Sequence, residues 1–214
     1  MDFRYAIFDM DGTLLDSMPG WASLGPTLLR RHGLEPPEDL RGMVKSLTAG
    51  QAAQQVYVER FHIADTAQQV LEEVDRIMLE FYRTRAPLKP GAGAYLDFLA
   101  GRGVKMYIAT STDSHLARAA LEHAGIAHHF SGILTSAEVG GNKATSPEIF
   151  EQAMARMGGS KADTVIFEDS FYAVRTATAA GFRCIGIADA DSTRSREGMR
   201  ELCERFVFSF EELM

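Results

Sequence analysis

Two carboxylates one residue apart, Asp9 and Asp11, close a short apolar run, Tyr5-Ala6-Ile7-Phe8, and are followed by Gly12 and Thr13. A run of this kind reads as a strand buried on both faces, with the acids at its carboxyl end. Residues two apart on an extended chain point to the same side, so both carboxyls address one spot. Gly12 lets the chain turn sharply and brings backbone N–H groups close to whatever the acids hold. Two like charges at the mouth of a buried strand are costly unless a cation sits between them, and oxygen-only ligands suit Mg²⁺. A carboxylate is also a covalent acceptor of a phosphoryl group. An isolated Asp-x-Asp is more often a pair of solvated turn residues, so the rest of the chain has to supply matching parts.

Three further groups supply them. Thr110-Ser111-Thr112 follows Val104-Lys105-Met106-Tyr107-Ile108-Ala109, Lys143 stands in Gly140-Gly141-Asn142-Lys143, and Glu168-Asp169-Ser170 follows Thr164-Val165-Ile166-Phe167. Taken singly, these are a helix N-cap region, a solvated lysine and an ordinary strand-to-helix turn. Together they provide a nucleophile, metal ligands, a hydroxyl and N–H cradle, and a cation for phosphoryl oxygens, which is what Mg²⁺-assisted phosphoryl transfer requires.

The elements that must position these groups are legible in the hydrophobic pattern. Strands are expected at 5–8, 104–109, 132–135, 164–167 and 184–188, separated by helices at 94–101, 114–123, 147–157 and 172–180. Such alternation predicts an α/β fold with a doubly wound parallel sheet, in which ligands bind outside the carboxyl ends of the strands. Residues 17–87 read as helices only. Ser17 is placed to cap a helix with Pro19 in its first turn, and Pro26 is expected to kink or interrupt it. Shorter helical stretches follow at 38–46 and 51–61. A long helix over 66–84 carries Val70, Leu71, Val74, Ile77, Met78, Phe81 and Tyr82 at core-facing spacing. The expected organisation is a core of residues 1–16 and 88–214, with 17–87 inserted as a helical lid on two linkers.

In order and at strand ends, the four groups resemble the four motifs of the haloacid dehalogenase-like superfamily of phosphotransferases. The resemblance covers nearly the whole chain, and the helical insertion after the first motif is shared with the phosphoglycolate-phosphatase and β-phosphoglucomutase branch. It implies a Rossmann-like core with a helical cap. Asp9 would be the nucleophile that becomes an aspartyl-phosphate, and Asp11 the acid/base that protonates the leaving oxygen and later activates water. Thr110, the Ser111 amide and Lys143 would hold the phosphoryl group. Mg²⁺ would be held by Asp9, the Asp11 main-chain carbonyl and Asp169, with Glu168 behind them. Trp21 and Lys45 are cap positions that could meet the substrate, although Trp21 reads equally well as core and Lys45 as a solvated lysine. Ala144 follows Lys143 where the family often has Pro, and Ala173 stands where it often has Gly. Two further departures bear on the reaction. Trp21 occupies the place of a cap-side His of the mutase branch, and Asp113 that of a Lys soon after its second motif. Both favour water over a sugar as acceptor. The expected activity is a Mg²⁺-dependent phosphatase for a small phosphorylated metabolite, with a β-phosphoglucomutase-like sugar phosphomutase as the alternative.

A net charge of -7 and a pI near 5.4 disfavour a nucleic-acid partner, while a bound metal and one or two cations can reverse the field locally for an anionic substrate. Cys184 and Cys203 suggest neither a disulfide framework nor a metal site. No apolar run is long enough to span a bilayer, and Asp9 comes too early for a signal peptide, so a cytoplasmic monomer or homodimer is expected. Gly140-Gly141-Asn142-Lys143-Ala144-Thr145 is not a Walker loop. His123, His128 and His129 lack a partnered ligand set in the sequence and read as solvated or capping groups.

Overall fold

Six parallel strands lie in the order β3-β2-β1-β4-β5-β6: β1 (Tyr5–Phe8), β2 (Lys105–Thr110), β3 (Phe130–Thr135), β4 (Thr164–Glu168), β5 (Arg183–Ile187) and β6 (Arg205–Val207). The computed structural model describes residues 2–44, 47–189 and 196–214. The chain starts at the centre of the sheet, lays β2 and β3 to one side, then crosses β1 to lay β4, β5 and β6 on the other. The strand order therefore reverses between β1 and β4, where open α/β sheets take their ligands.

Both faces of the sheet are covered, which is why its central strands lack polar alternation. Ile7 and Ile166 pack into one layer with Leu134, Phe150 and Val174. Their neighbours along each strand point the other way. Phe8 and Phe167 stack with ring centroids 4.3 Å apart, and Tyr95 and Phe210 pack beside them.

The chain divides into two compact units, Met1–Met18 with Ala86–Met214, and Pro19–Arg85. The helical unit contains most of α1 (Met18–Arg31), then α2 (Leu40–Val44), α3 (Ala49–Ala52) and α4 (Ala67–Thr84). Of the two outcomes expected at Pro26, interruption does not occur: α1 runs through it. Leu28 and Leu29, both fully buried in the helical core, hold the segment beyond the proline and offset its missing N–H. The stretch expected as one helix over 51–61 is instead α3 continued by a wider π-helical segment, Ala53–Val58, which turns Ala53, Val56 and Tyr57 into the core. Thr66 caps α4 in a reciprocal box: its hydroxyl accepts from the Gln69 amide at 3.3 Å, and Gln69 Oε1 accepts from the Thr66 N–H at 3.1 Å.

The sheet unit carries α5 (Ala92–Gly101), α6 (Ser114–His123), α7 (Glu148–Met157), α8 (Phe171–Ala179) and α9 (Arg196–Leu202). Its two segments 14–16 and 87–89 pair with each other. Leu15 and Leu88 form an antiparallel bridge, the Asp16 amide donates to Pro87 O at 2.9 Å, and the Lys89 amide donates to Leu14 O at 2.8 Å. The buried Lys89 ammonium then donates to Ala188 O at 2.8 Å and Asp189 Oδ1 at 2.6 Å, tying this pair to the segment leaving β5.

Candidate active site

Strand register brings the acids together. Phe8 lies opposite Phe167 in the β1–β4 ladder, and the Asp9 amide donates to Phe167 O at 2.9 Å. Asp9 therefore sits beside Glu168 and Asp169 at the carboxyl edge of the sheet. One carboxylate oxygen from each of the three lies within 4.8 Å of the others.

Lys143 reaches this cluster from the loop after β3. Asn142 shapes that loop, its carbonyl accepting from the Thr145 and Ser146 amides and its Oδ1 from the Ala144 amide at 2.8 Å. The loop is pinned to α8, where Thr176 Oγ1 donates to Ala144 O at 2.8 Å. Lys143 Nζ, buried, donates to Asp9 Oδ1 and to Glu168 Oε2, the latter at 3.2 Å. Glu168 Oε1 accepts from the Ser170 amide at 3.3 Å.

Gly12 adopts φ +83°, and a Cβ there would stand 2.5 Å from Asp169 Oδ2. The turn thus requires glycine both for its backbone and for the space Asp169 occupies. The fully buried Thr13 hydroxyl lies 3.2 Å from Asp9 Oδ2 and 3.0 Å from Asp169 Oδ1, one proton between two carboxylates.

Asp11 is held differently, in hydrogen bonds to neutral donors. Its Oδ1 accepts from Ser17 Oγ at 2.5 Å and its Oδ2 from Thr112 Oγ1 at 2.6 Å. The Thr112 hydroxyl is therefore committed to the acid rather than to capping α6, whose N-cap is Asp113. Thr110 is buried, and its Oγ1 accepts from the Thr112 amide at 3.1 Å, leaving its own proton to donate elsewhere. Ser111 is exposed, with its hydroxyl 3.2 Å from Ser136 Oγ. Beside it lies a groove of about 510 Å³, lined by Ser111, Ser136, Ala137, Gly140, Gly141 and Asn142.

The electrostatics expose a shortage of positive charge. Burial pushes the Asp9 carboxyl up, with the nearby Asp11 adding to the effect and Lys143 opposing it. Burial and then Asp9 push Glu168 well up, and the same two causes raise Asp169 to about 7. Burial works against the Lys143 charge, yet Asp9, Glu168 and Asp169 together hold its pKa above the ordinary lysine value. Among the described residues, one ammonium does not neutralise two buried carboxylates and the half-buried Asp169. A hard divalent cation would, and an all-oxygen donor set fits one.

The sequence-predicted groups Asp9, Asp11, Thr110, Ser111, Lys143, Glu168 and Asp169 all belong to the sheet unit and gather at its carboxyl edge. Trp21 belongs to the helical unit, where its indole N–H donates to Tyr82 Oη at 3.0 Å. Lys45 lies outside the described residues. Sequence reasoning missed the roles of Thr13, Ser17 and Thr112. Their only signal was a hydroxyl placed near a motif acid, too common to stand out.

Known proteins resemble this chain over most of its length. The fructose-1-phosphate phosphatase YqaB of Escherichia coli is 27% identical over 188 residues, covering 86% of this chain and 97% of that protein. A phosphorylated carbohydrates phosphatase of Thermotoga maritima is 27% identical over 183 residues, covering 84% and 82%. A crystal structure from Thermotoga maritima, provisionally described as a β-phosphoglucomutase, superposes with a TM-score of 0.79 at 25% identity, covering 95% of this chain and 94% of that one. The haloacid dehalogenase-like hydrolase family model matches residues 3–181, from the strand before Asp9 to the end of the helix behind Asp169, and the chain belongs to that family.

Proposed function

We propose that the chain is a Mg²⁺-dependent phosphatase that hydrolyses a small phosphate monoester, a sugar phosphate or a similar polyhydroxylated metabolite, through an aspartyl-phosphate on Asp9. The observation that carries this reading is the division of labour between the two first-motif acids. Asp9 faces Lys143 and the acid cluster, whereas Asp11 is held by two hydroxyls. The first environment suits a nucleophile whose charge must be managed, the second an acid/base that must change protonation.

Asp9 attacks phosphorus as the ester P–O bond breaks, and Asp11 gives its proton to the departing alkoxide. Asp11 then takes a proton from water as the water oxygen attacks the aspartyl-phosphate. The Asp9–phosphorus bond breaks, and inorganic phosphate leaves. Thr110, the Ser111 amide and Lys143 hold the phosphoryl oxygens through both steps. Asp9 and Asp169 would hold the metal, with Glu168 acting through Lys143; bound there, Mg²⁺ supplies charge neutralisation for the transferring group.

The substrate class is supported by the names of the relatives, phosphatases of fructose 1-phosphate and of phosphorylated carbohydrates. It is also supported by the groove beside Ser111, whose lining of hydroxyl, amide and backbone groups suits a polyhydroxylated leaving group. Among the described residues that lining contains no Lys or Arg to take the second phosphate of a bisphosphate, and Asp113 at the start of α6 would repel one. Water is therefore preferred to a sugar as acceptor.

The test is a panel of phosphorylated metabolites with Mg²⁺, reading released phosphate, with β-glucose 1-phosphate plus a trace of its 1,6-bisphosphate as one arm. Phosphate release from sugar phosphates that stops on chelation and returns with Mg²⁺ is expected. Isomerisation much faster than phosphate release would promote the mutase reading instead, and full activity in excess chelator would refute the metal role.

A further inference from the structure

Apart from the acid cluster, one more group among the described residues gathers metal-competent atoms, and it stands at the other end of the sheet. His128 and His129 close a 3₁₀ turn, Ala127–His129, immediately before β3, and Asp97 lies on α5, which precedes β2. The catalytic groups follow the carboxyl ends of the strands, whereas these three flank the amino ends.

Sequence alone made the histidines solvated or capping groups. The structure partners them. The His129 side chain is only 6% exposed, and its Nε2 lies 3.3 Å from Asp97 Oδ1. The His128 ring packs against it with centroids 4.0 Å apart at 37°. One nitrogen from each imidazole and one Asp97 oxygen lie within 4.8 Å of one another.

An Asp–His hydrogen bond accounts for one of these contacts but not for a second imidazole brought to the same point. A shared cation accounts for all three. Metal–nitrogen and metal–oxygen distances of about 2.0–2.1 Å in a tetrahedral site imply ligand atoms about 3.3–3.4 Å apart, and the His129–Asp97 separation already has that value. Two imidazoles and one carboxylate are borderline donors, unlike the all-oxygen catalytic set, so the preferred ion differs as well.

We propose that Asp97, His128 and His129 form a second metal site, selective for a borderline divalent transition ion such as Zn²⁺, Co²⁺ or Ni²⁺. Water would complete the coordination, since Asp97 and His128 are exposed. Such an ion would fasten α5 to the turn that launches β3, stabilising the sheet unit by mass action without entering the phosphoryl chemistry.

The test is a calorimetric titration of Zn²⁺ into the whole chain in excess Mg²⁺, repeated with Asp169→Asn to disable the acid cluster. One Zn²⁺ per chain is expected in both, with a rise in melting temperature. His128→Gln and Asp97→Asn change exposed side chains, so the fold should survive. Each should weaken Zn²⁺ binding at least about tenfold, the lower end of what lost support costs a metal site. Co²⁺ bound in place of Zn²⁺ should give visible absorption that His128→Gln removes. Absence of saturable Zn²⁺ binding in excess Mg²⁺, loss of binding in Asp169→Asn, or unchanged affinity in both His128→Gln and Asp97→Asn would each overturn the site.

Discussion

The two clusters at opposite ends of the sheet are each built from three metal-competent residues, yet burial makes them different chemical objects. Asp9 and Glu168 are nearly or fully inaccessible, and with Asp169 they confront one buried lysine. Asp97 and His128 are open to solvent, and only His129 is covered. In the first cluster desolvation raises all three acids, so charge balance dominates and the site calls for a hard ion. In the second, water already screens the carboxylate, so donor type decides which ion fits.

Removing the proposed nucleophile should separate the clusters most sharply. Asp9→Asn should lower turnover on the order of 10⁴-fold, by analogy with other single nucleophile losses, and a variant retaining more than a tenth of wild-type activity would remove Asp9 from that role. Lys143→Gln comes next. Loss of a preorganised donor costs about 10²–10³-fold in turnover, and steady-state kinetics in saturating Mg²⁺ would measure it. A smaller effect is expected from Thr112→Val, which removes one of the two hydroxyls that orient Asp11. A misplaced catalytic group costs up to about 10²-fold. The loss should fall on turnover rather than on substrate affinity, as a KM-against-kcat comparison would show.

Stability against pH gives a subtler contrast. Asp169 is raised from 3.8 to about 7 in the folded chain, chiefly by burial and then by Asp9. A group raised on folding favours the protonated native state. Its contribution is therefore complete below about pH 4 and is lost as pH rises toward 7. Asp9 and Glu168 are raised too and act in the same direction. Metal-free protein should melt several degrees lower at pH 7.5 than at pH 5, and Mg²⁺ should restore most of the difference at the higher pH, as thermal melts with and without chelator would show. The smallest expected effect belongs to the other cluster. His128→Gln should leave turnover unchanged, which a parallel assay checks.

How far the sequence could be read follows the same division between buried and surface-dependent features. β1, β2 and β4 are apolar on both faces, so Tyr5–Phe8, Lys105–Thr110 and Thr164–Glu168 announce themselves without help from their surroundings. β6 was missed: Arg205-Phe206-Val207 is three residues long, and its pairing with β5 makes it a strand more than its own pattern does. The π-helical segment Ala53–Val58 was misread for a related reason, since packing in the helical core overrides local preference there. The acids and Lys143 were visible because charged residues at the ends of buried strands are rare. Thr13, Ser17 and Thr112 were not, because a hydroxyl gains its role only from what the fold places within reach.

In the proposed reaction, the imbalance of two buried carboxylates and the half-buried Asp169 against Lys143 also sets the order in which the site is loaded. If the acids keep their protons, Asp9 lacks the charge with which to attack. If they lose them, two uncompensated negative charges face an incoming phosphate dianion and repel it. Under that proposal either state is unproductive until a divalent ion is in place. Kinetically the protein should behave as an ordered system in which metal precedes substrate, so that scarcity of the ion raises the apparent KM for the phosphate ester as well as lowering the rate.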